Sequence, residues 1–265
     1  MSRPELSPQQ RTQFEETGYL RWNSLFSDRE MELLHRIARR DRVIEEAATT
    51  RSDASGASTV LAVQDQLGDD MCSAIARSAR VVETAAQLIG EEVYHYHHKL
   101  MLKEPRVGGA WEWHQDYGYW YNYGCLYPRM LSCYVAIDRA TRRNGCLQVI
   151  PGSHSLGRLE HGKVGGQTGV DQERIDAILA RLPLQHVKME PGDALFFHGN
   201  LLHRSDKNTS DDPRWSLICC YNARSNSPYR EIRHNAYRPL EVLADGEIER
   251  VGTRQLAQLE RAAPR

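Results

Sequence analysis

The feature that most constrains the fold is a series of short runs rich in β-branched and aromatic residues, which begins at Val93. The runs cover residues 93–102, 111–120, 130–137, 146–150, 184–190, 194–198 and 214–221. Turn-forming pairs such as Asn144-Gly145 and Pro191-Gly192 separate several of them. Short strands that alternate with turns are typical of antiparallel sheets in sandwiches and barrels. Residues 171–182 interrupt the pattern with helical periodicity, and the Gly-rich residues 162–169 before them predict a surface loop.

The part of the chain before Val93 has a mainly helical pattern. Ser7 and Ser27 each begin a capping motif, which predicts helices over residues 8–17 and 28–47. The pattern that follows predicts a loop over 48–59, a short strand over 60–63 and a helix over 69–89.

These patterns predict a mainly β protein with flanking helices. The helices would cover the sheet and share one apolar core with it. The length of 265 residues allows one large domain. We expect a single domain with three parts: a mostly helical flank over 1–90, a sheet core over 91–225 and a C-terminal extension over 226–265.

Charge and cysteine content exclude several classes of protein. The 34 Lys and Arg residues nearly balance the 35 Asp and Glu residues, and no basic run predicts a nucleic-acid partner. The first ten residues lack the apolar core of a secretory signal, and the longest apolar stretch, 131–137, is too short to span a bilayer. We therefore expect a soluble, cytoplasmic protein with no membrane partner. Its six cysteines form no CxxC pair, so we expect free thiols.

A candidate metal site begins with His114 and Asp116. Residues two apart on a strand point to the same face, so an imidazole and a carboxylate would share one space while Gln115 points away. The third ligand would come from His198 or His203, which follow the Pro191-Gly192 turn. We favour His203 because a hairpin from it returns the chain to Arg214. Two histidines and one carboxylate leave open positions on a metal, as in non-haem Fe(II) oxygenases.

The sequence resembles the phytanoyl-CoA dioxygenase family of Fe(II)- and 2-oxoglutarate-dependent oxygenases. The resemblance rests on His114-x-Asp116, the segment NGCLQVIPGSH at 144–154, Pro191-Gly192-Asp193, and His203 followed by Arg214. It implies a double-stranded β-helix, which is a cupin-like jelly roll, with Fe(II) held by His114, Asp116 and His203.

The resemblance also implies a site for 2-oxoglutarate. An arginine late in the barrel pairs with the carboxylate farther from the iron, and Arg214 occupies that position. A planar guanidinium suits this task because it can give a carboxylate two parallel hydrogen bonds. Further positions that match cosubstrate-binding residues of relatives are Ser216, Ser205 and Tyr134. Where several relatives have a cosubstrate-binding lysine this chain has Ala62, which leaves Lys99 and Lys103 as the candidates for the carboxylate nearer the iron.

The substrate site is predicted from an aromatic segment that follows the metal-ligand motif. We expect residues 117–123 to form a loop whose side chains touch a small-molecule substrate. The candidate substrate-contacting residues are Tyr117, Tyr119, Trp120 and Tyr121.

The expected activity is hydroxylation of a small metabolite with dioxygen, which converts 2-oxoglutarate to succinate and carbon dioxide. Desaturation, epimerisation and attack on a C–P bond use the same cofactor chemistry and are open alternatives. A catalytically silent barrel that senses iron or 2-oxoglutarate is an alternative from a different class. His95, His97 and His98 have no acidic or Cys partner at metal-ligand spacing, so we expect no second metal there.

Overall fold

The structure is a computed structural model that describes residues 5–41, 48–53, 55–164, 166–231 and 236–262. Its α-helices are α1 (Pro8–Thr17), α2 (Asp28–Ala38), α3 (Met71–Ala76), α4 (Ala79–Ile89), α5 (Asp116–Asn122), α6 (Gln172–Leu179) and α7 (Glu247–Ala262). The first seven strands are β1 (Tyr19–Trp22), β2 (Ala48–Ser52), β3 (Ser58–Gln64), β4 (Val93–Lys103), β5 (Trp111–His114), β6 (Met130–Ala136) and β7 (Leu147–Val149). The remaining strands are β8 (Gly162–Val164), β9 (Gln167–Gly169), β10 (Gln185–Val187), β11 (Ala194–His198), β12 (His203–Ser205) and β13 (Arg214–Ala223).

Two antiparallel sheets form the jelly roll. The larger sheet has seven strands in the order β1-β11-β6-β13-β4-β3-β2, and the smaller has four in the order β10-β7-β12-β5. Strands β8 and β9 pair as a separate hairpin. The prediction of a mainly β, double-stranded β-helix fold with flanking helices is therefore confirmed.

The large sheet separates two apolar cores, because neighbouring residues on a strand point to opposite faces. On β11, Phe196 packs with the helices whereas Phe197 packs in the interior of the jelly roll. On β13, Cys219 and Cys220 divide in the same way. All six cysteines are buried free thiols, as expected. The interior face is the one that carries the candidate site.

Helices α1–α4 and α7 cover the outer face of the large sheet. Helix α2 begins at a capping box formed by Ser27 and Glu30, and its apolar side packs against α7. Helix α1 ends at Gly18, whose φ of +81° suits a residue without a side chain. Among the described residues, none of the helices combines the length and the apolar composition that a bilayer crossing requires.

Several boundaries in the first 90 residues differ from the prediction. Residues 48–52 form an edge strand and not a loop, because their backbone pairs with β3. The predicted helix over 69–89 is two helices, α3 and α4, which are separated at Arg77 and Ser78. Helix α2 ends at Ala38, and residues 42–47 of its predicted extent lie outside the described residues.

Two boundaries near the predicted site also differ. The strand predicted over 111–120 ends at His114, and the aromatic residues after it form helix α5 and not a loop. The Gly-rich residues 162–169 pair as the β8–β9 hairpin instead of forming an irregular loop. The hairpin lies beside β5, where Val170 donates its backbone N–H to the carbonyl of Trp113.

Candidate metal centre and cosubstrate pocket

Three potential metal ligands meet between the two sheets. His114 ends β5, Asp116 begins α5 and His203 begins β12. One ligand atom from each lies within 4.8 Å of the others, and the Nε2 atom of each histidine is 3.9 Å from Asp116 Oδ1. All three side chains are buried. The structure therefore brings together the three residues that the sequence predicted as iron ligands.

Strand pairing and a change of direction after β5 create this cluster. His203 lies opposite His114 in the antiparallel pair of β12 and β5. The sequence analysis predicted that His114 and Asp116 share one strand face. That prediction is wrong, because the chain turns into α5 at Gln115. The buried Gln115 side chain fixes the turn: its amide donates to the carbonyls of Gly157 and Asn200, and its oxygen accepts from the N–H of Leu159.

Each ligand is oriented by a hydrogen bond to its other polar atom. Nδ1 of His114 bonds to the carbonyl of Glu112 at 2.7 Å, and Nδ1 of His203 bonds to the carbonyl of Leu201 at 2.9 Å. A carbonyl only accepts, so both Nδ1 atoms carry the proton and both Nε2 atoms present a lone pair. The Ser132 hydroxyl donates to Asp116 Oδ2 at 2.7 Å, which leaves Oδ1 for the cluster. This donor set fits Fe(II) with open coordination positions.

The electrostatic environment favours the protonation states that a metal needs. Burial lowers the pKa of His203, and burial together with the neighbouring His203 lowers the pKa of His114. Burial opposes ionisation of Asp116, but Lys99 and both histidines outweigh it, so the pKa of the carboxyl is lowered. Neutral imidazoles and an ionised carboxylate are the ligand forms that bind metal without losing a proton.

Arg214 lies at the start of β13 and is only 2% exposed. Its guanidinium donates to the Tyr134 hydroxyl at 2.8 Å and to Ser205 Oγ at 3.5 Å. Its Nε and the Ser216 hydroxyl are buried without a hydrogen-bond partner among the described residues. Burying a cation and unpaired hydrogen-bond donors costs free energy unless an anion accepts their hydrogen bonds. These groups fit the distal carboxylate of a dicarboxylic acid such as 2-oxoglutarate.

The two candidate lysines lie near different groups, Lys103 beside Arg214 and Lys99 beside Asp116. Lys103 is directly opposite Arg214 on the neighbouring strand, and its ammonium donates to Ser205 Oγ at 2.9 Å and to the carbonyl of Asp206. Burial and the nearby Arg214 hold the pKa of Lys103 well below its usual value. Lys99 instead places Nζ 3.9 Å from Asp116 Oδ1. Burial disfavours the charged form of Lys99, but Asp116 outweighs burial and raises the pKa of the ammonium.

The aromatic residues of α5 divide between the metal cluster, the core and the surface. Tyr119 packs edge-on against His114, with ring centres 5.8 Å apart, and its hydroxyl donates to the carbonyl of Thr168. Tyr117 and Trp120 are buried in the interior core. Tyr121 is 42% exposed, and the guanidinium of Arg158 lies over its ring. Tyr119 is the member of the four that contacts a metal-ligand candidate.

Sequence reasoning missed three residues that support the site. Ser132 lies two positions before Tyr134 on β6, so the shared strand face was a signal that could have identified it. Gln115 had been predicted only to point away from the space shared by His114 and Asp116. His161 accepts a hydrogen bond from the N–H of Gln115, and no local pattern connects it with a site 45 residues earlier in the chain.

The other histidines do not join the cluster. His198 accepts a hydrogen bond from the N–H of Asn200 and packs near Phe14, so the choice of His203 over His198 agrees with the geometry. His95 and His98 bond to each other at 3.0 Å. Within the described parts of the chain, the group of His114, Asp116 and His203 is the one set of three or more His, Cys, Asp or Glu side chains close enough to share an ion.

Comparison with known proteins gives consistent results. Residues 14–216 match the family model of phytanoyl-CoA dioxygenase (PhyH). The chain is 32% identical over 181 residues to L-proline trans-4-hydroxylase of Streptomyces griseoviridis, an alignment that covers 62% of this chain and 68% of the relative. It is 35% identical over 155 residues to methylphosphonate hydroxylase of Gimesia maris, covering 57% and 54% of the two chains. The structure of EctD from S. alaskensis with 2-oxoglutarate and 5-hydroxyectoine superimposes with a TM-score of 0.76 at 25% identity, covering 90% of this chain and 88% of EctD.

Proposed function

Because this chain belongs to the phytanoyl-CoA dioxygenase (PhyH) family, we propose that His114, Asp116 and His203 hold its catalytic iron and that Arg214 holds its cosubstrate. The protein is an Fe(II)- and 2-oxoglutarate-dependent oxygenase that hydroxylates a small-molecule substrate. The bound iron supplies the activation of dioxygen, which is coupled to the conversion of 2-oxoglutarate to succinate and carbon dioxide. We also propose that the protein is cytoplasmic.

The observation that carries the metal assignment is the convergence of three oriented ligands. Each histidine presents Nε2 because its Nδ1 is bonded to a carbonyl, and Asp116 presents Oδ1 because Ser132 holds Oδ2. The protein therefore fixes the geometry before the metal arrives, which reduces the conformational cost of binding.

The cosubstrate assignment rests on the unused donors around Arg214. We assign the distal carboxylate to the Arg214 guanidinium, with the hydroxyl groups of Ser216, Tyr134 and Ser205 around it. Lys103 adds a basic group at the same end, because it donates to Ser205. Binding there would direct the oxo-acid end of 2-oxoglutarate toward the metal cluster.

We propose a small metabolite as the substrate, in contact with the part of α5 that faces the metal. L-Proline and methylphosphonate, which name the substrates of two relatives, are both small molecules. Tyr119 is placed to contact such a substrate because its ring packs on His114, and Tyr121 lies farther out on the exposed side of α5. Tyr117 and Trp120 would act from the core by holding α5 in place.

An anaerobic iron titration tests the metal assignment. Asp116→Ala and His203→Ala should each weaken Fe(II) binding by at least about 100-fold, because three protein ligands are the minimum for this type of site. His186→Ala on β10 is the matched control and should bind iron like the parent chain. Undiminished iron affinity in Asp116→Ala would refute the assignment. If the parent chain binds iron and 2-oxoglutarate yet releases no succinate with any member of a metabolite library, the protein is a sensor and not an oxygenase.

Thermal stabilisation by 2-oxoglutarate tests the role of Arg214. With Mn(II) in place of iron, a ligand at 100 times its Kd should stabilise the parent chain by about 2.7 kcal/mol. Arg214→Met should weaken 2-oxoglutarate binding by about 30-fold or more, because the carboxylate loses a buried charged partner. Arg214→Lys should restore part of the affinity but not the paired hydrogen bonds. Arg139→Met, on the exposed surface, serves as the control. Equal affinity in Arg214→Met and the control would disprove the assignment.

A further inference from the structure

Lys99 places a positive charge beside the metal cluster and faces the interior of the jelly roll. Its Nζ lies 3.9 Å from Asp116 Oδ1, and its side chain keeps 20% of its surface exposed. On the neighbouring strands its backbone pairs with those of Val63 and Ile218, which bear apolar side chains. An ammonium in such surroundings has lost much of its hydration and needs oxygen atoms as partners.

Aromatic side chains pack against His114, in the same metal cluster that Lys99 approaches. Trp111 and Tyr119 both pack against His114, with ring centres 6.0 and 5.8 Å from the imidazole. Together with Val63 they are partly buried and pack against the interior core. The metal cluster thus has apolar side chains on His114 and one ammonium group near Asp116, a combination that suits a small molecule with an apolar body and an acidic group.

The balance of charge in the loaded site supports the same conclusion. The iron contributes two positive charges, and Arg214 and Lys99 contribute one each. Asp116 contributes one negative charge and 2-oxoglutarate two. One positive charge is left unbalanced among these groups, whereas Lys103 has the carboxylates of Asp206 and Asp53 nearby. Because unbalanced charge in a buried site is costly, the site favours a third component that carries a negative charge.

The cosubstrate has other partners for both of its carboxylates. Its distal carboxylate is assigned to Arg214, where Nε and the Ser216 hydroxyl have no hydrogen-bond partner in the described parts of the chain. Its proximal carboxylate would bind the metal directly. Lys103 lies beside Arg214, so of these three basic side chains Lys99 is the one that remains for another molecule.

We propose that Lys99 binds the anionic group of the primary substrate, and that the enzyme acts on small carboxylic or phosphonic acids. This inference rests on the proposed function and specifies its substrate class. The lysine ammonium is a point charge with three donors, so it accepts planar carboxylate and tetrahedral phosphonate oxygens alike. The apolar side chains of Trp111, Tyr119 and Val63 then contact the body of the molecule. The distance between its acidic group and its C–H bonds determines which carbon faces the metal.

Matched acid and neutral probes test the proposal by direct binding. The probes are cyclopentanecarboxylate against cyclopentanecarboxamide, and methylphosphonate against its neutral dimethyl ester. Each is titrated anaerobically into the protein loaded with Fe(II) and 2-oxoglutarate, and binding is followed by the visible charge-transfer absorption of the iron–oxo acid chelate. The parent chain should bind at least one acid about tenfold or more tightly than its neutral partner. Lys99→Met should reduce this preference to less than about threefold while leaving the Kd of 2-oxoglutarate within about twofold.

The control variants separate the possible results. Lys99→Arg should keep most of the preference for acids, and Lys188→Met, at an exposed position, should behave like the parent chain. The proposal is overturned if neither acid binds more tightly than its neutral partner, or if Lys99→Met keeps the preference. It is also overturned if Lys99→Met weakens 2-oxoglutarate by tenfold or more, since Lys99 would then serve the cosubstrate. Failure of the parent chain to bind 2-oxoglutarate at all would instead refute the proposed function.

Discussion

The two histidines of the metal cluster are aimed by the same local device. In each, Nδ1 bonds to the backbone carbonyl two residues earlier: His114 to Glu112, and His203 to Leu201. The bond needs no distant partner, so a short strand is enough to fix both the tautomer and the ring direction. This explains why a three-residue strand such as β12 can present a metal ligand.

A second pair of histidines, His95 and His98, should make the stability depend on pH. His95 and His98 are 5% and 2% exposed and hydrogen-bond to each other. Burial lowers the pKa of His95 to about 3 and that of His98 to about 4. Both values lie below the ordinary histidine pKa of 6.5, so acid protonates the unfolded chain first and favours unfolding.

We expect the free energy of unfolding to fall as the pH drops from 6.5 toward 4. Each histidine should contribute a slope approaching about 1.4 kcal/mol per pH unit, and this contribution should be fully retained only above pH 6.5. Urea unfolding at several pH values measures the slope. The double variant His95→Gln and His98→Gln should show a shallower slope, whatever fixed cost it has at neutral pH. Parallel slopes in the variant and the parent chain would contradict the prediction.

At the scale of elements, local signals were sufficient where they agreed with tertiary contacts. The capping motifs at Ser7 and Ser27 predicted the starts of α1 and α2, and apolar β-branched runs predicted β6 and β13. Strand β2 has the polar sequence ATTRS and exists because β3 pairs with it, which composition alone does not reveal. Helix α5, DYGYWYN, is rich in strand-favouring aromatic residues, and buried contacts override that preference.

Helix α5 depends on a close contact between Gly118 and His161. A Cβ atom at Gly118 would lie 2.2–2.5 Å from the His161 ring, which accepts the hydrogen bond from the N–H of Gln115. Gly118→Ala should therefore displace the start of the helix, cost about 1–3 kcal/mol of stability and weaken iron binding through Asp116.

The matched control for Gly118→Ala is Gly162→Ala on β8, where the added methyl group would meet no atom within 4 Å. Calorimetric unfolding and the anaerobic iron titration are to be measured on both variants. The control should resemble the parent chain in both measurements. A stable Gly118→Ala variant with unchanged iron affinity would show that His161 moves aside without disturbing Asp116.

At the scale of the whole molecule, the site combines segments that are far apart in sequence. His114 and His203 meet because β12 pairs with β5, and Arg214 lies beside Lys103 because β13 pairs with β4. The three candidate ligands could be expected to lie together because their motifs are short and local. Which of Lys99 and Lys103 lies beside Arg214 could not be predicted, since this depends on the register of β4 against β13. The division of the chain into 1–90, 91–225 and 226–265 stays a prediction, and β1, β2 and β3 of the first part join the large sheet.

The two faces of the large sheet should be separable by mutation. Ile248 of α7 is fully buried in the core on the helical face, whereas the metal cluster lies on the interior face. Ile248→Ala should lower the free energy of unfolding by about 2–5 kcal/mol, and Ile248→Val by about 0.5–1.5 kcal/mol, because the cavity grows with the volume removed. Iron and 2-oxoglutarate affinities at 25 °C should stay within about twofold, since distant and independent sites behave additively. A graded loss of iron affinity in step with stability would instead show that the helical layer holds the metal cluster in place.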